Sequence, residues 1–236
     1  MKEIKARLIE RIKRTDTVES FRFILEQKAL FLPGQFLRVI LDEDNRENKL
    51  MNKYLSMSSS PDKDYIEVTK RISSSEFSKA LLDLRPNEEI LVEIPMGNCV
   101  FRDEYKKIGF LIGGIGITPV ISIIEYIVEK KTDTDAYLFY SNRTDEDIAF
   151  KKELDHWQGI NKNIKVFYTV TDCQPKDKTC TFGFIDKELL TGKASDLTER
   201  ILFIFGPPKM VDTMCNISLE LDCKKQNIKT ERFIGY

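Results

Sequence analysis

Residues 108–124 read IGFLIGGIGITPVISII. Ile108, Phe110, Leu111 and Ile112 make the short apolar run of a strand covered on both faces. Gly113, Gly114 and Gly116 allow a sharp turn and leave room for a ligand where a Cβ would otherwise stand. Thr118 and Pro119 suit a helix start, with proline at or near the first helical position. A strand, turn and helix of this kind aim unpaired N–H groups and the positive end of the helix dipole at the turn, which favours a phosphate there. The spacing is not GxGxxG, so the ordinary dinucleotide fingerprint does not apply. Taken alone, the segment is equally a glycine-rich turn that packs a helix on a strand.

On the C-terminal side the pattern alternates. Strands are expected at 108–112, 136–140, 164–170, 201–205 and 228–234, with a short extended segment at Gly183, Phe184 and Ile185. Helices are expected at 118–130, 145–155, 186–191 and 209–221. This alternation predicts a parallel sheet with helices on both faces. On the N-terminal side, β-rich segments appear at Ile4–Ile12, Ser20–Leu25, Gln35–Leu41, Lys53–Ser58, Tyr65–Lys70 and Glu89–Ile94. Turn signals such as Pro33-Gly34 and Pro61–Asp64 separate them, and one helix is expected from Ser75 to Leu84. That half reads as a small antiparallel β-barrel with one helix. The charged stretch Arg102–Lys107 marks the boundary, giving domains 1–102 and 103–236.

The 236 residues suffice for two small domains, each with its own core, and the formal net charge is −1. Nothing in that balance calls for nucleic acid or an anionic membrane as partner. The N-terminal MKEIKARLIERIKR alternates charged and apolar residues and is no signal peptide, and no apolar run approaches a membrane span. The expected location is cytoplasmic. Five cysteines (Cys99, Cys173, Cys180, Cys215 and Cys223) are too scattered for a disulfide framework or an iron–sulfur cluster. Cys173 and Cys180 flank a polar loop and could form a redox pair; free thiols are the preferred reading. His156 is the single histidine, which excludes a histidine triad or a multi-histidine metal site. No metal is expected, and chemistry must come mostly from a bound cofactor.

Short segments then fall into a telling order: PGQF (33–36), KYLSMSSSP (53–61), VTKRISSSEFSKAL (68–81), PMG (95–97), GGIGITP (113–119), YSNRTDEDIAF (140–150), FGPPKM (205–210) and ERF (231–233). Together they resemble the ferredoxin–NADP reductase superfamily, in which an FAD-binding barrel precedes a nicotinamide nucleotide domain; a stand-alone flavin reductase without an iron–sulfur domain is expected. The resemblance implies FAD and NADPH or NADH as cofactors. It equates Lys53, Tyr54, Leu55 and Ser56 with the family's Arg-x-Tyr-Ser/Thr motif. Lys53 would meet the FAD pyrophosphate, with a point charge in place of the guanidinium fork. Leu55 stands where the family stacks an aromatic ring on the flavin. Tyr54 is one position off and on the opposite strand face. Ser56 would hydrogen-bond flavin N5.

Val68, Thr69 and Lys70 would run beside the ribityl chain. Ser74, Ser75, Phe77 and Ser78 match the turn and helix start that receive the FAD pyrophosphate. Gly113, Gly114, Ile115, Gly116 and Thr118 match the turn that receives the nicotinamide nucleotide, with Ile115 in place of Thr. Phe205, Gly206, Pro207, Pro208 and Met210 match the motif beside the nicotinamide, with Phe205 in place of Cys. Glu231 matches an acid near the flavin–nicotinamide junction. Phe233 and Tyr236 are expected near the FAD. Ser141, Asn142 and Arg143 follow the second strand of the sheet, where adenine ribose is read. The absence of an acid there tips the reading slightly to NADPH.

The implied function is an FAD-dependent oxidoreductase that takes hydride from NAD(P)H, with Ser56 and Glu231 as catalytic residues. Its electrons would pass to a protein acceptor such as ferredoxin, flavodoxin or an oxygenase component. The alternative is a flavoprotein subunit of a larger electron-transfer complex with little activity alone.

Overall fold

The computed structural model describes residues 1–233; Tyr236 lies outside them. The chain divides into two compact units, one formed by Met1–Phe101 with Thr118–Tyr126, the other by Arg102–Ile117 with residues from Ile127 onward.

In the first unit, alternating apolar residues build six strands: β1 (Lys2–Lys13), β2 (Val18–Leu25), β3 (Phe36–Ile40), β4 (Asn52–Ser56), β5 (Ile66–Arg71) and β6 (Glu89–Met96). They pair antiparallel in the order β4-β3-β6-β1-β2-β5. Phe21, Phe23, Leu37, Val39, Val68 and Val92 point inward and are fully buried. Each contributes about 1.5–3 kcal/mol of burial free energy. Helix α1 (Glu76–Asp83) closes this core with Phe77 and Leu81, one turn apart on a single face. The two end strands of the sheet, β4 and β5, meet through a single bridge, Met57 to Val68, which makes the barrel nearly closed. Away from that bridge they form no ladder.

The second unit carries β7 (Lys107–Gly113), β8 (Asp135–Asn142), β9 (Ile164–Val170), β10 (Cys180–Phe182), β11 (Ile201–Gly206) and β12 (Ile228–Arg232). All neighbours pair parallel, in the order β10-β9-β8-β7-β11-β12. Helix α2 (Thr118–Lys130) follows β7, with Thr118–Tyr126 counted in the first unit and the rest in the second; the second unit's other helices are α3 (Lys151–Ile160), α4 (Lys187–Lys193) and α5 (Pro208–Glu220). One sheet face buries Leu111, Phe139, Leu202 and Ile204 with Leu190, Val211 and Met214 of α4 and α5. The alternate residues Phe110, Ile112, Leu138, Tyr140, Phe203 and Phe205 are fully buried as well, so both faces are covered, as a parallel sheet requires. Strand order reverses between β7 and β11, the switch point at whose carboxyl edge such sheets bind ligands.

Two expectations are corrected. The helix expected at 145–155 begins only at Lys151 and runs to Ile160. Asp145–Asp147 forms a short 3-10 turn instead, because the Asp145 carboxylate accepts the N–H groups of Lys176 and Asp177 at 2.9 and 2.9 Å. Phe150, with φ +61, then breaks the backbone before the helix. The extended segment expected at Gly183–Ile185 lies earlier, at Cys180–Phe182, where it pairs with Tyr168–Val170. Gly183, with φ +127, ends it.

Candidate functional site

Lys53 and Leu55 of β4 register with Val39 and Leu37 of β3, so their side chains face the inner side of the barrel, and Leu55 packs on its core. Tyr54 is on the other face, 61 % exposed, edge-on to Phe36 at 5.8 Å and under the Arg38 guanidinium at 5.8 Å. It is thus turned away from Lys53 and Leu55. On β5, Val68 and Lys70 share the inner face. Val68 is core; the Lys70 ammonium donates to the Arg71 carbonyl at 2.8 Å and lies 6.0 Å from the Phe77 ring centre. Burial, and then the Lys53 charge, hold Lys70 below the ordinary lysine value of 10.5. Among the described residues no carboxylate pairs with Lys53 or Lys70. Two ammonium groups that repel each other at the opening between β4 and β5, with no acid to neutralise them, fit a polyanion such as a pyrophosphate.

The serines divide by what their hydroxyls do. Ser75 caps α1 by accepting the Ser78 N–H at 3.2 Å. The buried Ser78 hydroxyl is held by the Ser73 N–H at 3.2 Å and the Ser75 hydroxyl at 3.0 Å, so it is engaged locally. Ser74 is exposed. The first-turn N–H groups of Glu76 and Phe77 have no intrahelical acceptor. Thr69 points outward and bonds Ser20 and Ser58 at 2.6 and 2.7 Å. Ser56 ends β4, is 6 % exposed, and its hydroxyl makes no hydrogen bond among the described residues.

In the second unit the glycines of the 113–119 turn differ in role. A Cβ on Gly116 would stand 2.6 Å from the Phe205 carbonyl oxygen and 2.9 Å from the Gly206 nitrogen. A Cβ on Gly113 would collide with the Met210 sulfur, and one on Gly206 would stand 3.1 Å from the Gly113 nitrogen. Gly116 and Gly206 therefore let the β7 and β11 turns pack backbone to backbone, and Gly113 leaves room for the Met210 side chain. Gly114 alone in the turn combines φ +52 with open space where a Cβ would be. Ile115 and Thr118 are buried, and α2 starts at Thr118 with no side-chain cap. Helix α5 likewise starts at Pro208, after Pro207, with no side-chain cap. Phe205 is fully buried, edge-on to Phe203 at 5.8 Å.

Strand β12 sets half-buried Glu231 opposite Phe205, and the Phe233 N–H donates to the Gly206 carbonyl at 3.0 Å. Both thus reach the carboxyl edge beside the switch point. On β8, Ser141 is half-buried; Asn142 is buried and its amide nitrogen has no partner. Arg143 is exposed, with no acidic partner among the described residues, while its carbonyl accepts the N–H groups of Thr171 and Asp172 at 3.1 and 2.9 Å. The amino edge of the sheet is the opposite case. There the fully buried Arg200 lies over Tyr137 at 3.7 Å and donates to Asp135, to Asp196 and to the Ile108 carbonyl at 2.7, 2.8 and 3.0 Å. Arg200 is thus saturated with acceptors at the amino edge, while the Asn142 amide nitrogen has none at the carboxyl edge, where sheets of this kind bind ligands.

None of the five cysteines is in a disulfide; Cys173 is exposed and Cys180 buried. Among the described residues no group of three or more His, Cys, Asp or Glu side chains could hold a metal ion. None of the described helices is long and apolar enough to cross a membrane.

Fold and site together define an oxidoreductase built for a flavin and a nicotinamide nucleotide. Residues 5–101 match the oxidoreductase FAD-binding domain, and residues 110–216 match the oxidoreductase NAD-binding domain. The chain belongs to the ferredoxin–NADP reductase superfamily, which pairs these two domains. It is 28% identical over 247 residues to nitrate reductase (NADH) 1 of Nicotiana tabacum, covering 92% of this chain and only 27% of that protein. Its identity to NADH-cytochrome b5 reductase 1 of Dictyostelium discoideum is 29% over 233 residues, 96% of this chain and 80% of that protein. The cytochrome b5 reductase domain of Ulva prolifera nitrate reductase superposes with a TM-score of 0.81 at 23% identity, covering 98% of this chain and 97% of that one.

Proposed function

We propose that this chain is a reductase that takes hydride from NAD(P)H and delivers electrons to a protein acceptor. The observation that carries it is the unneutralised Lys53–Lys70 pair at the opening between β4 and β5. Bound FAD would supply the redox chemistry, accepting hydride and releasing electrons singly or as a pair. The protein's part is to bind and orient. Lys53, Lys70 and the first-turn N–H groups of α1 hold the FAD pyrophosphate. Leu55 offers the flavin ring an aliphatic surface where relatives offer an aromatic one. Ser56, whose hydroxyl is uncommitted, donates to flavin N5.

Gly114 and the uncapped start of α2 receive the nucleotide pyrophosphate. Ser141, Asn142 and Arg143 take the adenosine end, and Gly206 to Met210 border the nicotinamide. Glu231 steers charge or a proton at the reacting edge. The acceptor belongs to the class of small electron carriers, ferredoxin, flavodoxin or an oxygenase component; the relatives named for cytochrome b5 add a haem protein to that class. A cytoplasmic location goes with this reading.

Reconstitution with FAD followed by anaerobic titration with NADH and NADPH in parallel tests the reading. A yellow protein bleached by one or both is expected. A colourless protein that neither nucleotide affects would refute it. A second reading, a flavoprotein arm of a larger assembly, rests on the departures from the family's residues at Lys53, Leu55, Ile115 and Phe205. Brisk turnover of artificial acceptors by the isolated chain would count against that version.

A further inference from the structure

Strand β5 turns Glu67 and Thr69 away from the barrel core, opposite Arg22 and Ser20 of β2. The outer face of an antiparallel strand ordinarily meets water. Here Glu67 is 2 % and Thr69 3 % exposed. The segment that follows Ser56 lies across them. The Ser58 N–H donates to the Glu67 carbonyl at 2.7 Å, and the Glu67 N–H donates to the Ser59 hydroxyl at 2.9 Å. The Ser58 hydroxyl donates to Glu67 Oε1 at 3.1 Å. The same carboxylate receives Arg14 Nη2 at 3.0 Å on each oxygen and Arg22 Nε at 2.8 Å. Arg14 Nε reaches Ser20 at 2.7 Å, and Ser20 bonds Thr69 at 2.6 Å, which closes the network.

A carboxylate so far from water is retained only with a full set of donors, and apolar packing of equal volume would stabilise the barrel as well or better. What the charged set adds is direction. Two guanidinium groups fix the carboxylate in one orientation, and the carboxylate fixes Ser58. Of these groups only Thr69 is a residue expected beside a cofactor, and its hydroxyl is taken up by Ser20 and Ser58; Ser58 stands two residues after Ser56, whose own hydroxyl is uncommitted.

We propose that Glu67 is a positioning residue: through Ser58 it holds the turn after β4 and so sets where the Ser56 hydroxyl points. The inference rests on the reading that Ser56 meets flavin N5. Misplacement of about 1 Å at a reacting centre is worth up to roughly a hundredfold in rate, so the device acts on turnover rather than on nucleotide binding.

The test uses the FAD-loaded full chain. Ser58→Ala removes the hydroxyl's bonds to Glu67 and Thr69 and leaves Glu67 paired with both arginines. Its kcat with ferricyanide as acceptor should fall about tenfold, with KM for the preferred nicotinamide nucleotide unchanged and the visible flavin band shifted. Ser58→Thr should restore both. Ser59→Ala, which removes the second anchor of the same turn, should give a smaller loss of the same kind and decides the matter where Ser58→Ala does not fold. Combining Glu67→Gln with Ser58→Ala should add no further loss in kcat. Wild-type kcat and spectrum in Ser58→Ala, a loss that Ser58→Thr does not recover, or additive losses in the double variant would each overturn the proposal. Ser56→Ala, measured in parallel, separates the two levels. If it slows turnover while Ser58→Ala does not, only the role of Glu67 falls; if Ser56→Ala is silent, the reading of Ser56 falls and the inference with it.

Discussion

Gly114 and Gly116, two residues apart, should respond to substitution in opposite ways. At Gly116 a Cβ would lie 2.6 Å from the Phe205 carbonyl oxygen and 2.7 Å from its carbon, both backbone atoms of a buried strand. Neither can swing aside as a side-chain tip would. Gly116→Ala must spread the β7 and β11 turns, an overpacking cost of about 1–3 kcal/mol. In a chain of this size that lowers Tm by roughly 2–12 °C. At Gly114 there is nothing within 4 Å, but φ is +52. Alanine there would be strained by about 1–2 kcal/mol, which would blur the comparison. Asparagine tolerates that backbone region. Gly114→Asn should therefore melt within about 2 °C of the parent while placing a side chain in front of the turn. If a pyrophosphate seats there, its affinity for the nicotinamide nucleotide should fall about tenfold, equivalent to about 1.4 kcal/mol. Differential scanning calorimetry and isothermal titration with NAD⁺ and NADP⁺ read the two quantities. Wild-type nucleotide binding by Gly114→Asn would refute the assignment of the open glycine to the ligand. Wild-type melting of Gly116→Ala would refute the packing argument.

The remaining expectations concern charge and hydrogen bonding. Lys70 is held below 10.5 in the folded chain, so the folded state sheds that proton before the unfolded one and stability rises with pH across the interval between the two values. FAD needs the charge, so its affinity should fall as pH rises through the lowered Lys70 value. Lys53→Gln should weaken FAD about tenfold or more and move that fall to higher pH, because the like charge is gone; equilibrium dialysis across the alkaline range checks both, and an unmoved pH profile would sink the pairing. Arg143→Ala should cut NADPH affinity about tenfold and leave NADH unchanged, as read by parallel KM values. Equal losses for the two nucleotides would remove Arg143 from 2′-phosphate recognition. Ser56→Ala should keep FAD bound and slow flavin reduction about tenfold in stopped flow; an unchanged rate would place the N5 donor elsewhere.

Most of the fold was legible because its signals are local. Period-2 alternation set the barrel strands, and short apolar runs between glycine turns set the parallel ones. The failures came where a distant residue decides. Asp145–Asp147 has the acidic look of a helix start, but the Asp145 carboxylate serves two N–H groups of the loop at 176–177, a partnership no local window contains. The glycine turn was legible as a turn but not in its division of labour, since only the approach of β11 reveals that Gly113 and Gly116 are there for packing. Ser78 and Thr69 match the family's pattern by position, and their hydroxyls are tied to neighbouring serines.

Glu67 is the sharpest case. Alternation on β5 correctly turns it outward, and an outward glutamate is ordinarily solvated. Its burial depends on Arg14, Arg22 and Ser58, which arrive from three other parts of the chain. The periodic signal reports direction, while water is excluded by whatever else lands on that face. For this family the consequence is specific. Motif positions give the groups that can touch a cofactor, but which hydroxyl remains available to touch it is decided by neighbours outside every motif. In the KYLSMSSSP segment that selection leaves Ser56 uncommitted and binds Ser58 and Ser59 to Glu67.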